Sequence, residues 1–345
     1  MLRGYADKIL DHMKGAAILA VVFIHSSGYL AVSNIGTFEW YIGIISRQFV
    51  NFAVPIFLFI SGFLSFSRDI HDTPYYLKKK LLRIIIPYLS WSCFYFFLLF
   101  IFNNQSFAVK NIIAQLILGT GIGVGYFVIV LVQFIMLTPL INAITSIKIH
   151  IMIICGFTII GVGINYMSVK IDCLKLFSQF PYSAIPFFVW YPFYHLGFVF
   201  NKYNISCSKW SNSSILFWIL SFSLTLAISE GIFWGYTGNY SFAVSQLKLS
   251  SLVLSLCVCM VVYFYLNHDI DYKYLSQLGT MSYGIYLTHM LFVWFYHYLF
   301  SYTSVFIRHL VISCGFIFIL STISSVTLVF FIRKILERYS VYIVG

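Results

Sequence analysis

The chain has 345 residues, of which 61% are hydrophobic and 9% charged, and its mean hydropathy is +0.91. A soluble domain carries about 25% charged residues, so the composition excludes a soluble globular protein and also a disordered chain. The net charge of +11 does not indicate a nucleic-acid-binding face, because the 21 lysines and arginines are spread between long apolar runs. The sequence therefore predicts an all-α, polytopic integral membrane protein whose partner is the lipid bilayer and not nucleic acid.

Ten apolar segments are long enough to cross a bilayer, since a spanning helix needs about 20 apolar residues. The predicted spans are 15–33, 49–66, 84–102, 124–144, 150–167, 183–200, 214–232, 246–266, 281–300 and 306–332. Segment 107–122 is too polar and glycine-rich to span, and we expect a short interfacial or re-entrant helix there. No hydrophilic stretch is long enough for a soluble domain, so residues 1–345 are predicted to form one transmembrane domain.

The lysines and arginines divide unequally between the two sides of these spans. With both termini in the cytoplasm, 15 fall on the cytoplasmic side and 6 on the other, as the positive-inside rule requires. Both termini are therefore predicted to be cytoplasmic. Asp7 and Asp11 precede the first apolar run, which argues against a cleaved signal peptide, so we expect the first span to be retained.

The first span carries an imidazole in its middle and a cation at its cytoplasmic edge. His25 and Lys14 are eleven residues apart, which places them on one helix face about 16 Å apart along the axis. This pattern indicates a helix lining a cavity that opens to the cytoplasm, with Lys14 at its mouth and His25 at its floor. The alternative is a structural histidine in an interhelical hydrogen bond, and residue type alone does not separate the two.

The ninth predicted span carries a second intramembrane histidine. Ser282 and His289 are seven residues apart and share a face. Because this span also begins on the cytoplasmic side, His289 is predicted to approach the depth of His25, so that the two histidines flank one site. His195 and His297 lie among aromatic residues, and we expect structural or interfacial roles for them.

The loop between the second and third spans has the densest charge in the chain, with Lys78, Lys79, Lys80 and Arg83 preceding an apolar run. Such a cluster is usually a topology signal or a contact with anionic lipid. The sharper interpretation is a site for a phosphate-bearing cytosolic donor, because Lys80 and Arg83, at i and i+3 of a helix, both reach one phosphate group.

The second span contains a proline and a Ser-Gly pair. Pro55 is expected to free a backbone carbonyl within the span, and Ser61-Gly62 to let another helix approach closely. Acidic residues are scarce. Glu230 is predicted near the outer end of a span, facing an outer cavity or the interface, and Glu337 at the inner end of the last span.

The seven cysteines do not form a metal-binding or disulfide pattern. Most lie in apolar runs, and Cys257-Val-Cys259 does not have the C-x-x-C spacing of zinc and redox motifs. We therefore expect no metal site and no bound cofactor.

Four stretches, taken together and in order, resemble the acyltransferase-3 family of bacterial inner-membrane proteins. They are Lys14-x10-His25, Val54-Pro55-x-Phe57 with Ser61-Gly62-Phe63-Leu64, Lys80-x-x-Arg83 with Pro87-Tyr88, and Leu278-Gly279-x-x-Ser282-Tyr283-Gly284-Ile285-Tyr286-Leu287-x-His289. The chain departs from the family pattern at Lys80, where the family has arginine, at Tyr126, where a tryptophan is common, and at Tyr339, where a proline is common. It resembles the stand-alone members, which lack a periplasmic esterase-like domain.

The resemblance implies a multi-pass O-acyltransferase of the bacterial inner membrane. Its donor substrate would be acetyl-CoA, and its acceptor a sugar hydroxyl of a surface polysaccharide or lipid-linked glycan. The resemblance implies His25 as the catalytic residue, either a general base or an acyl carrier, and Lys14, Lys80 and Arg83 as the acyl-donor site. The candidates for supporting or acceptor-site positions are Ser61, Ser282, His289 and Glu337.

Two other functions fit the composition. A transporter or flippase of a glycan or lipid-linked precursor has a similar number of spans, and a membrane sensor or scaffold needs no catalysis. The His25 face together with the basic loop favours the acyltransferase, because a transporter does not need both.

Overall fold

The computed structural model describes residues 2–66, 73–103, 108–205, 213–265, 272–303 and 309–345. Within these ranges the chain is helical and contains no strand. The helices are α1 (Leu2–Ser26), α2 (Gly28–Ala31), α3 (Phe38–Val50), α4 (Ala53–Phe63), α5 (Thr73–Asn103), α6 (Val109–Ile117), α7 (Tyr126–Ala143), α8 (Ile147–Lys170), α9 (Phe187–Lys202), α10 (Ser213–Tyr236), α11 (Tyr240–Ala243), α12 (Leu249–Tyr265), α13 (Lys273–Thr280), α14 (Ser282–Ser301), α15 (Leu310–Leu336) and α16 (Val341–Val344). Two 3₁₀ turns lie at Asp172–Ser178 and Glu337–Ser340.

Seven helical segments in the described part of the chain are long and apolar enough to cross a membrane. They lie in α1, α3 with α4, α5, α7, α8, α10, and α15 with its C-terminal extension. The all-α polytopic class is thus confirmed, whereas the number ten stays a prediction. The predicted spans 246–266 and 306–332 overlap α12 and α15, and their residues 266 and 306–308 lie outside the described residues, as do Arg68, Lys209 and Arg308 of the charge count.

The glycine-rich segment before the fourth predicted span forms the short helix that the sequence indicates. The nine-residue α6 has no buried residue, as expected of an interfacial helix. A turn leads from it into α7, with Gly119 at φ +66° and Gly123 at φ +74°. These angles lie in the left-handed region that only glycine adopts freely, which explains the glycines of this segment.

The apolar segment Phe38–Phe63 is divided into two helices at Asn51 and Phe52. The amide of Asn51 donates to the side chains of Gln48 (3.1 Å) and Ser251 (3.2 Å). Pro55 is therefore the third residue of α4, a position at which no intrahelical amide donor is needed. The expectation that this proline frees a carbonyl is confirmed, because the carbonyl of Asn51, four residues before Pro55, accepts a hydrogen bond from the Ser255 hydroxyl (3.4 Å) instead.

The Ser-Gly pair of α4 allows the close helix approach that the sequence predicts. A Cβ atom added to Gly62 would lie 1.9 Å from the carbonyl oxygen of Tyr194 in α9, and one added to Gly197 would lie 1.9 Å from that of Phe59. The backbones of α4 and α9 are thus in direct contact through two glycines, as is common between membrane helices.

A second glycine pair joins α1 to α13. A Cβ atom added to Gly15 would lie 2.1 Å from the carbonyl oxygen of Leu275, and one added to Gly279 would lie 1.9 Å from that of Asp11. Because α13 is separated from α14 by Met281 alone, this contact fixes where α14 begins relative to α1.

The bundle has two ends, which we name by the predicted topology. At the inner end, where α1, α5 and α14 begin, the Tyr283 hydroxyl donates to the carbonyl of Ile84 (2.6 Å). At the outer end, where α1 finishes and α3 begins, the hydroxyls of Tyr41 and Tyr236 are hydrogen-bonded. Between these two ends, α1 packs directly against α14.

Candidate active site

His25 and His289 face each other between α1 and α14. Their ring centroids are 5.4 Å apart with an interplanar angle of 48°. His25 is half-buried in the last turn of α1, and His289 is fully buried in the second turn of α14. The prediction that His289 reaches the depth of His25 is confirmed. At this separation one hydroxyl or water oxygen between the two rings can bond to both.

The tautomer of His289 follows from its hydrogen bonds. Its Nδ1 lies 2.7 Å from the carbonyl oxygen of Tyr286 and 3.2 Å from that of Ile285. A carbonyl oxygen only accepts, so Nδ1 carries the hydrogen and Nε2 keeps its lone pair. That Nε2 is buried and has no hydrogen-bond partner within the described ranges. His289 therefore offers a free acceptor to a proton on His25 or on a bound hydroxyl.

Arg47 of α3 supplies a fixed cation to this site. Its Nη1 donates to the carbonyl of Ile24 (2.9 Å), the residue before His25, and its Nε donates to that of Val244 (3.4 Å). The charge of Arg47 acts electrostatically on His25 and on Tyr126. From the sequence, Arg47 is predicted only as one of the six outer-side topology charges. The sequence does carry a signal for its role, because an arginine inside the apolar segment that forms α3 and α4 is costly unless it is functional.

His25 also lines a cavity of about 580 Å³. The cavity lies between the end of α1 and the second half of α14, and its lining includes Tyr29, Trp294 and Ser301. It is thus on the outer side of His25. The opening toward the cytoplasm with Lys14 at its mouth stays a prediction, and the Gly15 contact places α13 against this end of α1.

His297 also lines this cavity, and its ring centroid is 4.6 Å from that of Tyr29. The expectation of a purely structural or interfacial role for His297 is therefore incomplete. His195, by contrast, lies against His150 at the start of α8, with 2.6 Å between their ring nitrogens, and packs among aromatic rings. That arrangement fits the structural role predicted for His195.

The predicted donor residues lie at the inner end. Lys14 forms an ion pair with Asp11 (2.9 Å) and remains one quarter exposed. Lys80 is half-buried and Arg83 is exposed, both in the first turns of α5. The structure adds Arg333 of α15, whose charge interacts with that of Arg83. These cations form a basic inner end, on the opposite side of His25 from the cavity.

Three other candidate positions are not brought to the histidine pair. Ser61 lies in the last turn of α4, which packs against the first half of α1 and so lies nearer the inner end. Ser282 is buried at the start of α14, two turns before His289. Glu337 is exposed beyond the end of α15, with φ +43°. Of the four supporting candidates, the structure places only His289 beside His25.

A buried lysine lies in the loop before α12, at the outer end. The Lys248 ammonium is fully buried and donates to the Gln48 side chain (2.8 Å) and to the carbonyl of Ala243 (2.7 Å). Burial lowers the pKa of Lys248 from 10.5 to about 7, although the charge of Glu230 opposes the shift. From the sequence, Lys248 is predicted only as one of the six outer-side topology charges.

Glu230 is half-buried in the outer half of α10 and has its own set of polar partners. Its carboxylate accepts hydrogen bonds from the Tyr166 hydroxyl, from the Trp234 indole (3.3 Å) and from the Ser250 amide (3.2 Å). The network ties α10 to α8 and to the start of α12, which is a structural role.

Comparison with known proteins assigns the chain to a family. A family model described as an acyltransferase domain matches residues 7–331. The chain belongs to the acyltransferase-3 family. It is thus an acyltransferase of the membrane, with the His25 and His289 pair inside the matched region.

Two relatives show the range of similarity. A probable poly-beta-1,6-N-acetyl-D-glucosamine export protein of Staphylococcus aureus strain Mu50 is 23% identical over 268 residues, covering 75% of this chain and 73% of the relative. The succinoglycan biosynthesis protein ExoH of Rhizobium meliloti is 28% identical over 104 residues, 28% of each chain. No solved structure matches the chain.

Proposed function

We propose that this acyltransferase transfers acetyl from cytosolic acetyl-CoA to a sugar hydroxyl of a surface polysaccharide or lipid-linked glycan, in the bacterial inner membrane. The observation that carries the proposal is the histidine pair, 5.4 Å apart, set between a basic inner end and an outer cavity. The names of the relatives, which concern N-acetyl-D-glucosamine polymer export and succinoglycan biosynthesis, support a polysaccharide acceptor.

The inner end suits a polyanionic donor. Arg83 and Arg333 repel each other there, so a phosphate group between them would relieve that repulsion and gain charge-assisted hydrogen bonds. Lys14 lies about 16 Å from His25 along α1, by helix rise, and cannot touch the reacting imidazole. Its role in the proposal is to hold the donor at the inner end.

The chemistry at His25 follows one of two routes. As a general base, His25 takes the proton of the acceptor hydroxyl while the hydroxyl oxygen attacks the carbonyl carbon of the thioester. The carbon–sulfur bond then breaks, and the proton passes from His25 to the sulfur of CoA. In the two-step route, an imidazole nitrogen attacks first and CoA leaves as the thiol. The acceptor hydroxyl then displaces the imidazole.

Either route uses the neighbours of His25. The lone pair of His289 Nε2 accepts a proton from protonated His25 or positions a hydroxyl, because Nδ1 is occupied by the backbone. The negative charge on the carbonyl oxygen of the tetrahedral intermediate needs a cation or donor nearby. Arg47, held on the carbonyl of Ile24, is the candidate for that charge.

The test is acetyl-CoA turnover by purified protein with a glycan fraction from its own membranes, measured as release of the CoA thiol. We expect His25→Ala to abolish release, and His195→Ala, a buried histidine outside the pair, to retain it. Unchanged turnover by His25→Ala, in protein that melts like the wild type, would remove the catalytic assignment. The transfer of another acyl group would correct the donor alone.

Glycan export is the second candidate function, because the Staphylococcus aureus relative is named a probable export protein. Inverted membrane vesicles discriminate the two functions. An exporter accumulates labelled glycan in the vesicle lumen without acetyl-CoA, whereas an acyltransferase labels the glycan from radioactive acetyl-CoA. Glycan accumulation by His25→Ala vesicles at the wild-type rate would favour export.

A further inference from the structure

The outer cavity beside His25 has an aromatic lining. Trp294 and Tyr298 contribute from α14 and Tyr29 from the segment after α1, with 42%, 65% and 53% of their surfaces exposed. The volume of about 580 Å³ lies within the range of about 300–1,000 Å³ typical of small-molecule pockets. The cavity is therefore large enough to hold a ligand against His25.

The polar groups of the cavity are neutral hydrogen-bonding groups. They include the Ser301 hydroxyl, the tyrosine hydroxyls and the imidazole of His297, and none of the described residues that line it is lysine, arginine, aspartate or glutamate. A phosphate-bearing ligand such as CoA would find no charged partner in this lining. A sugar ring fits it, because an apolar C–H face packs on aromatic rings while hydroxyls bond to neutral polar groups.

Aromatic side chains also collect at membrane interfaces without binding anything. Two observations separate this cavity from such a belt. The aromatic residues surround the same space that His25 lines, and the ring of Tyr29 in α2 lies 4.6 Å from that of His297 in α14. Phe295, the residue after Trp294 on α14, is 54% exposed and does not line the cavity, which is the behaviour expected of a residue in an aromatic belt.

We propose that this cavity is the acceptor subsite, and that it takes a neutral pyranose unit of a glycan whose hydroxyl then faces His25. The inference rests on the proposed function, since it names the acceptor side of the same site. It places donor and acceptor at opposite ends of the histidine pair, with CoA on the basic inner side and the sugar in the outer cavity, whose described lining carries no lysine, arginine, aspartate or glutamate.

Calorimetric titration without acetyl-CoA tests the subsite separately from catalysis. Full-length protein in lipid nanodiscs is titrated with three neutral probes, chitotetraose, cellotetraose and maltotetraose. We expect the wild type to bind at least one of them. Trp294→Ala should weaken that binding at least tenfold, through loss of the stacking surface, and Phe295→Ala should change it less than twofold. Tyr298→Ala is the second variant if Trp294→Ala does not fold.

Two titration results would overturn the subsite: no binding of any probe by the wild type, or equal binding by the cavity variants and Phe295→Ala. A third overturning result is a phospholipid that stays bound to the wild type in native mass spectra and that only the cavity variants lose, because the cavity would then be a lipid site. CoA release measured in parallel keeps the two proposals distinct. If sugar binding depends on Trp294 but no CoA is released, the subsite is supported and only the proposed acyl transfer is refuted.

Discussion

Gly279→Ala is expected to disable the enzyme from a distance. The new Cβ atom would lie 1.9 Å from the carbonyl oxygen of Asp11, whereas ordinary contacts begin at 3.4 Å. The atom it meets is backbone, so α13 has to move from α1 by roughly 1.5 Å, and α14 with His289 follows because only Met281 lies between the helices. A misplacement of about 1 Å typically costs about 100-fold in rate. Overpacking of this kind also costs about 1–3 kcal/mol of stability.

The assay is CoA release together with the melting temperature of the detergent-solubilised protein. Gly156→Ala in α8 is the matched control, because its Cβ would meet no atom within 4 Å, and it should match the wild type in both measurements. Gly279→Ala with wild-type kcat would refute the reasoning, since it would mean that the α1–α13 contact does not set the spacing of His25 and His289. A lower melting temperature with unchanged kcat would give that contact a role in stability alone.

Three further predictions concern charged groups. Arg47→Ala should lower kcat about 100-fold with little change in the acetyl-CoA KM; an unchanged kcat contradicts its role beside His25. Arg333→Gln should raise the acetyl-CoA KM several-fold, while the exposed Arg338→Gln should not; equal KM values would remove Arg333 from the donor site. Lys248 has a folded pKa of about 7 against 10.5 in the unfolded chain, so the unfolded chain binds the proton more readily and stability rises between these pH values. From pH 7 to pH 9 the free energy of unfolding gains about 2 kcal/mol from this group. The melting temperature should therefore rise over this range in the wild type and in the variant of an exposed lysine, Lys175→Met, but stay flat in Lys248→Met. Parallel curves for all three proteins would contradict the lowered pKa of Lys248.

The sequence predicted features that depend on local periodicity. The shared depth of His25 and His289 follows from counting residues from the inner edge of two helices that run in the same direction. The close contact at Gly62 follows from the absence of a side chain, and α6 follows from an apolar run too short and too polar to span. Each of these needs only one helix and its rise per residue.

The sequence could not predict features that depend on which helices are neighbours. Arg47 and Lys248 looked like topology charges, because residue counts assign a side of the membrane but not a burial state. The carbonyl that Pro55 frees was expected, but its partner was not, because the Ser255 hydroxyl lies 204 positions from Asn51 in the sequence. The cavity on the outer side of His25 forms between the end of α1 and α14, which are far apart in the sequence.

Composition and periodicity alone thus determined a helical membrane protein with two intramembrane histidines at one depth and a basic inner end. Only the tertiary structure decided that α13 packs on α1 at Gly15 and that a cavity opens beside His25 and Trp294. The physical reason is that burial of apolar surface and helix geometry act within each segment, whereas cavities and buried cations depend on contacts between segments far apart in sequence.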